Sequence, residues 1–152
     1  MGELFGDLYC WLEDFFGLEL ADYLWGLSSP QQTGNMFIGI GMTMLCISLI
    51  LTIVYYYLLN HPRLNNWWGW SIFLAVNAFL NFVVGWQWVL KDYYDGLMVK
   101  ISPETGKEID LAISESDILA FGVTNMINSI IAFIIFSYII KWWSTNCSRA
   151  PF

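Results

Sequence analysis

The residues that could do chemistry in this chain are few and scattered. The single histidine, His61, precedes Pro62 in a polar turn without a cysteine or carboxylate beside it, which favours a loop residue over a metal ligand or a base. The cysteines Cys10, Cys46 and Cys147 form no metal-binding or redox motif. Neither a phosphate-binding glycine loop nor a nucleophile elbow is present. We therefore expect no enzymatic activity, no metal site and no cofactor.

The remaining unusual side chains are amides and hydroxyls inside otherwise apolar runs. They are Asn77, Asn81, Asn125, Asn128, Thr124 and Ser129. At about 100° per residue, the polar residues of each run fall on one half of a helix, opposite a half of branched and aromatic residues. Two interpretations follow: hydrogen bonds between helices, or the lining of an aqueous path enclosed by several subunits.

The elements that position these amides are three long apolar runs, residues 36–59, 67–90 and 118–140. The chain is 57% hydrophobic and 12% charged, with a mean hydropathy of +0.54, which is typical of a membrane protein. At about 1.5 Å per residue, the middle run spans roughly 36 Å as a helix, enough for a hydrocarbon core of about 30 Å. We therefore expect an all-α integral membrane protein with one three-span domain over residues 36–143.

The first block, residues 1–27, is rich in aromatic residues and leucine but contains six carboxylates, which exclude an ordinary span. Its helical pattern predicts an amphipathic interfacial segment in two short helices divided at Gly17. Packing of this segment against partner subunits is an equally good interpretation, because no lysine or arginine lies on its polar face. The expected polar face carries Glu3, Asp7 and Asp14, and the expected apolar face carries Leu4, Leu8, Trp11, Leu12 and Phe15.

An acidic loop, residues 91–117, connects the second and third spans. Two short runs rich in branched residues, 97–101 and 108–113, flank a turn that contains Pro103 and Gly106, and this pattern predicts a small β-hairpin outside the membrane. The residues 114–117 then offer a helix cap before the third span. We expect the short tail, residues 144–152, to be frayed.

Three spans place the N-terminal block and the 91–117 loop on one side, and the 60–66 loop and the C-terminal tail on the other. All 13 acidic side chains lie on the first side, whereas lysines and arginines divide equally. The acidic side suits the face opposite the anionic cytoplasmic leaflet. We therefore predict an outside N-terminus and a cytoplasmic C-terminus.

These features leave two main functional hypotheses. The first is a homo-oligomer that forms or gates a membrane pore, with Asp92 and Asp95 at an acidic mouth that attracts cations. The second is a non-catalytic structural or anchoring subunit of a larger membrane complex. The expected partners are the lipid bilayer, further copies of the chain and other membrane subunits, with no nucleic acid. The paired asparagine faces favour the pore narrowly, because anchoring alone does not require them.

Overall fold

The computed structural model describes residues 2–28, 34–58, 66–102 and 107–142. Three short N-terminal helices precede three long ones, and a two-stranded antiparallel sheet lies between the last two helices. The elements in chain order are α1 (Gly2–Cys10), α2 (Glu13–Phe16), α3 (Leu18–Trp25), α4 (Met36–Ile53), α5 (Trp67–Tyr94), β1 (Val99–Ile101), β2 (Glu108–Asp110) and α6 (Glu115–Lys141).

The three long helices coincide with the predicted spans, and each is long and apolar enough to cross a membrane. α4 continues as a π-helical segment, Val54–Leu58, while α5 and α6 extend beyond the predicted runs at their polar ends. The predicted cap at residues 114–117 is confirmed, because the Ser114 and Asp117 side chains each accept from the other's backbone N–H. These helices are consistent with a multi-pass membrane protein.

α5 runs antiparallel to both α4 and α6 and packs most extensively against α6. Trp70, near the start of α5, donates a hydrogen bond to Ser137 near the end of α6. At the other end of the pair, a Cβ added to Gly85 would lie 2.8 Å from the Cβ of Asn125, so the two backbones approach closely there. Small residues at such crossings allow close helix packing in membrane proteins.

The N-terminal helices pack against α4 and α6 rather than standing apart from them. Phe5, Tyr9 and Phe16 are buried, and Phe5 lies against Gly41 of α4, where a side chain on the glycine would collide with its ring. Phe16 meets Phe121 of α6 edge to face at 5.3 Å between ring centroids. The division at Gly17 is confirmed, since Gly17 separates α2 from α3 with a φ of 93°. The predicted number of two helices is wrong, because a turn at residues 11–12 separates α1 from α2 and the block forms three helices.

The predicted apolar face of this block is confirmed in part, because Leu8 and Leu12 are partly buried against the core, but it is wrong at its other three residues. Leu4, Trp11 and Phe15 are 67%, 58% and 55% exposed, whereas the buried stripe runs through Phe5 and Tyr9. The stripe through Leu4 and the stripe through Phe5 are both apolar and both have helical spacing. The stripe through Phe5 is the buried one, because Gly41 leaves room for the Phe5 ring. The predicted polar face is confirmed as exposed at Glu3, Asp7 and Asp14.

The predicted hairpin is confirmed. β1 and β2 pair antiparallel with Lys100 opposite Ile109. The hairpin and the N-terminal helices lie at the same end of the bundle, because Glu19 of α3 accepts a hydrogen bond from the backbone N–H of Ala112 at 2.8 Å. Glu19 also pairs with Lys100 at 3.5 Å, a half-exposed ion pair that contributes little free energy.

Several predictions fall on residues outside the described ranges. These are the hairpin turn at residues 103–106, the connection between the first two spans with His61 and Pro62, and the tail with Cys147.

Candidate functional site

The predicted amides form a buried network between α5 and α6. Asn77 donates from Nδ2 to the backbone carbonyl of Ser129 at 2.9 Å, and Asn125 donates from Nδ2 to the backbone carbonyl of Asn81 at 2.7 Å. Both bonds connect the two helices: α5 donates the first and α6 donates the second. Asn81 bonds within α5, to the carbonyl oxygen of Asn77 at 3.0 Å and to its Oδ1 at 3.2 Å. All four residues are fully buried.

The N-terminal segment (residues 2–25) completes this network. Tyr9 is fully buried and donates its hydroxyl proton to Oδ1 of Asn125 at 2.5 Å. Asn128 lies beside the same segment, where its Oδ1 accepts from the Trp11 indole at 3.3 Å and its Nδ2 donates to the Leu8 carbonyl at 3.4 Å. The segment therefore supplies hydrogen-bond partners for two of the four asparagines.

The Tyr9 ring is held in an aromatic cluster at the same place. It stacks on Phe37 of α4 at 5.2 Å between centroids and lies 5.5 Å from Phe121 of α6. Sequence reasoning did not identify Tyr9 as part of the site. The available signal was the spacing of Phe5, Tyr9 and Phe16, which repeats along one helical stripe.

The predicted hydroxyls are buried but bond within their own helix. Thr124 donates to the carbonyl of Ala120 at 3.1 Å, and Ser129 donates to the carbonyl of Met126 at 2.7 Å. Two buried polar atoms, Ser48 Oγ and Asn81 Oδ1, have no hydrogen-bond partner within the described residues. A buried polar atom in that state costs about 1–3 kcal/mol.

The two aspartates predicted at an acidic mouth lie at the end of α5 beside the N-terminal segment. Asp92 is half-buried and accepts a hydrogen bond from the Tyr23 hydroxyl at 3.2 Å. Burial, followed by the neighbouring Asp92 carboxylate, raises the pKa of Tyr23 above its usual range. Asp95 is exposed at the C-terminal cap of α5. Asp92 therefore fixes α3 to the end of α5, about 16 Å along the helix from Asn81.

Within residues 2–28, 34–58, 66–102 and 107–142, no group of three or more histidine, cysteine, aspartate or glutamate side chains could hold a metal ion. Cys10 accepts a hydrogen bond from the Trp25 indole at 3.2 Å.

Comparison with protein-family models, with curated proteins and with solved structures finds no match for this chain.

Proposed function

We propose that the protein is a non-catalytic structural subunit of a membrane assembly, and that it meets neighbouring chains through the exposed face of its N-terminal segment. The neighbours are further copies of this chain or other membrane subunits. The observation that supports the proposal is the depth at which α1 contacts α6.

The carbonyl of Leu8 lies 3.4 Å from Nδ2 of Asn128. Asn128 is next to the midpoint of the uncharged run 118–140, roughly 20 Å along α6 from Glu115 at about 1.5 Å per residue. With α6 across a bilayer, the end of α1 lies near the middle of the hydrocarbon core, deeper than the interfacial placement expected from sequence.

At this depth the exposed face of α1 is incompatible with lipid. Asp7 directly precedes Leu8 and is exposed, as is Glu3 one turn earlier. A carboxylate that faces lipid near the bilayer centre costs about 3 kcal/mol or more. Leu4 and Trp11 are exposed on the same segment, and large apolar and aromatic side chains are typical of protein interfaces. A protein neighbour accommodates both kinds of side chain.

The asparagine network supports a structural role for the amides. Their amide protons are donated within this chain, and each interhelical bond contributes about 0.6 kcal/mol. Exposed positions near the middle of α4, α5 and α6 are apolar, as at Ile50, Phe79 and Ile131. Such surfaces suit lipid better than water.

An oligomeric pore is the second candidate, because the same carboxylates could also face water. In such an oligomer the N-terminal segments of several copies would surround an aqueous vestibule, in which Glu3, Asp7 and Asp14 attract cations. Asp92 and Asp95 would then lie at the outer rim. In both candidates we place the N-terminus outside and the C-terminus in the cytoplasm, because the acidic end is disfavoured beside anionic lipid.

Mass determination of the protein extracted in mild detergent tests the proposal. We expect an oligomer or a stoichiometric complex with another membrane chain. The double variant Leu4→Ala with Phe15→Ala should weaken this association, whereas Ile72→Ala with Phe79→Ala, which removes similar exposed area from α5, should not.

A monomer without a stoichiometric companion would contradict the subunit role. For the second candidate, the readout is cation flux into reconstituted vesicles. Asp7→Asn should lower this flux most at low ionic strength, where screening is weak. An oligomer that conducts no ions would contradict the pore hypothesis and would agree with the subunit role.

A further inference from the structure

A cavity of about 360 Å³ lies outside the three-helix bundle, between the end of α5 and the β-hairpin. Its volume falls in the range of small-molecule sites, which begins at about 300 Å³. The residues around it come from two elements that the N-terminal segment holds in place. None of the asparagines described above lines it.

The cavity combines an apolar floor with an aromatic wall. Met98, Leu111 and Ile113 line it and are almost fully buried. Tyr93 and Tyr94 line it from α5, with their rings edge to face at 5.6 Å. The hydroxyl of Tyr94, an exposed side chain, donates to Glu115 Oε1 at 2.8 Å and so connects α5 to α6.

One exposed carboxylate, Asp110, completes the described lining, which contains no lysine or arginine. Lys100 of β1 lies on the opposite face of the hairpin from Asp110, because Asp110 pairs with Val99 and side chains alternate along a strand. Lys100, the next residue, is paired with Glu19. Lys100 is therefore engaged away from Asp110, and its ion pair does not include that carboxylate.

We propose that this cavity binds an alkylammonium group, the cationic end of a lipid headgroup or of a free amine. The methyl or methylene groups lie on the apolar floor, the charge approaches Asp110, and the tyrosine rings add a cation–π contribution. The cavity lies where α5 ends and α6 begins, the level at which phospholipid headgroups meet a spanning helix. The inference does not depend on the subunit role proposed above.

Choline is a suitable probe, titrated into the protein in a maltoside detergent and followed by calorimetry. We expect saturable binding in the millimolar to micromolar range. The uncharged carbon analogue of choline, in which a tert-butyl group replaces the trimethylammonium group, should bind at least about fivefold more weakly because it keeps the shape and loses the charge. Equal binding of the two compounds, or no saturable choline binding, would overturn the inference.

Three variants locate the site. Asp110→Asn, an exposed and nearly isosteric change, should weaken choline binding by about fivefold or more, whereas Asp95→Asn should change it by less than about twofold. Asp95 carries the same charge nearby but does not line the cavity. Tyr93→Leu should also weaken binding, through loss of the ring. Equal effects of the two aspartate variants would indicate diffuse surface attraction and overturn the assignment.

The source of the amine is decided by lipid retention in native mass spectra. If the protein retains phosphatidylethanolamine in preference to phosphatidylglycerol, and Asp110→Asn abolishes this preference, the bound amine belongs to a lipid headgroup. Choline binding without such retention assigns a free amine. The absence of both contradicts the proposal.

Discussion

Replacement of Tyr9 by phenylalanine removes one hydroxyl from the contact between the N-terminal segment and α6. The hydroxyl donates to Oδ1 of Asn125 at 2.5 Å in a fully buried position. The ring contacts with Phe37 and Phe121 do not involve the hydroxyl, so the packing is retained. The substitution therefore isolates a single hydrogen bond.

The expected loss of stability is about 1–2 kcal/mol. A buried acceptor left without its donor costs about 1–3 kcal/mol, and the change also removes a hydroxyl that needed desolvation. A loss of this size lowers the folded-to-unfolded ratio about 5- to 30-fold. The matched control is Tyr23→Phe, whose acceptor Asp92 is half-buried and can bond water instead, with an expected loss below about 1 kcal/mol.

The assay is equilibrium unfolding in mixed micelles, followed by tryptophan fluorescence. A double-mutant cycle of Tyr9→Phe with Asn125→Ala should give a coupling free energy of about 0.5 kcal/mol or more, because the two residues contact each other. If Tyr9→Phe costs no more than Tyr23→Phe and the cycle shows no coupling, Tyr9 does not bond Asn125 and the packing of the N-terminal segment against α6 is refuted.

Three further predictions test the helix crossing, the polar end and the threading. Gly85→Ala should destabilise the protein by about 1–3 kcal/mol, since its new Cβ would lie 2.8 Å from the Cβ of Asn125 in α6. The control is Gly39→Ala, whose new Cβ would lie 3.5 Å from the Trp88 ring and should lower the free energy of unfolding less in the same assay. Because the pKa of Tyr23 is raised, its contribution to the free energy of unfolding is fully present below pH about 10 and is lost as the pH rises further. Tyr23→Phe should make this alkaline loss of stability smaller. An unchanged dependence of the free energy of unfolding on pH would contradict the raised pKa. In a cysteine-free background, a cysteine at Thr105 should react with an impermeant maleimide on intact cells, and one at Ser148 only after permeabilisation, with the reverse pattern inverting the topology.

The three long helices and the hairpin could be predicted because their signals are local. An uncharged run of this length has few alternatives to a spanning helix, and the Ser114 and Asp117 pair has the spacing of a capping box. The hairpin followed from two branched runs around a proline and glycine turn. In each case the deciding residues are close together in the chain.

The packing of the N-terminal segment could not be predicted for the opposite reason. Its residues carry two apolar stripes, one through Leu4 and one through Phe5, and amphipathicity alone does not choose between them. The choice depends on Gly41, about 36 residues away in the chain, which leaves room for the Phe5 ring. Likewise, Asn77 and Asn81 share a face, yet only the register of α5 against α6 decides which amide bonds across.

The most direct test of the proposed subunit role is the environment of position 7. A nitroxide attached to Asp7→Cys, in protein reconstituted into lipid vesicles, reports collisions with oxygen, which concentrates in lipid, and with a water-soluble nickel chelate. The control is the same label at Phe79→Cys, an exposed apolar position on α5, where oxygen should dominate.

We expect that oxygen does not dominate at position 7. Low accessibility to both reagents indicates a protein contact and supports the subunit role, whereas high accessibility to the nickel chelate indicates water and favours the pore. If oxygen dominates at position 7 as it does at position 79, the proposed subunit role is contradicted, because the acidic face of α1 would then lie in lipid without a protein neighbour.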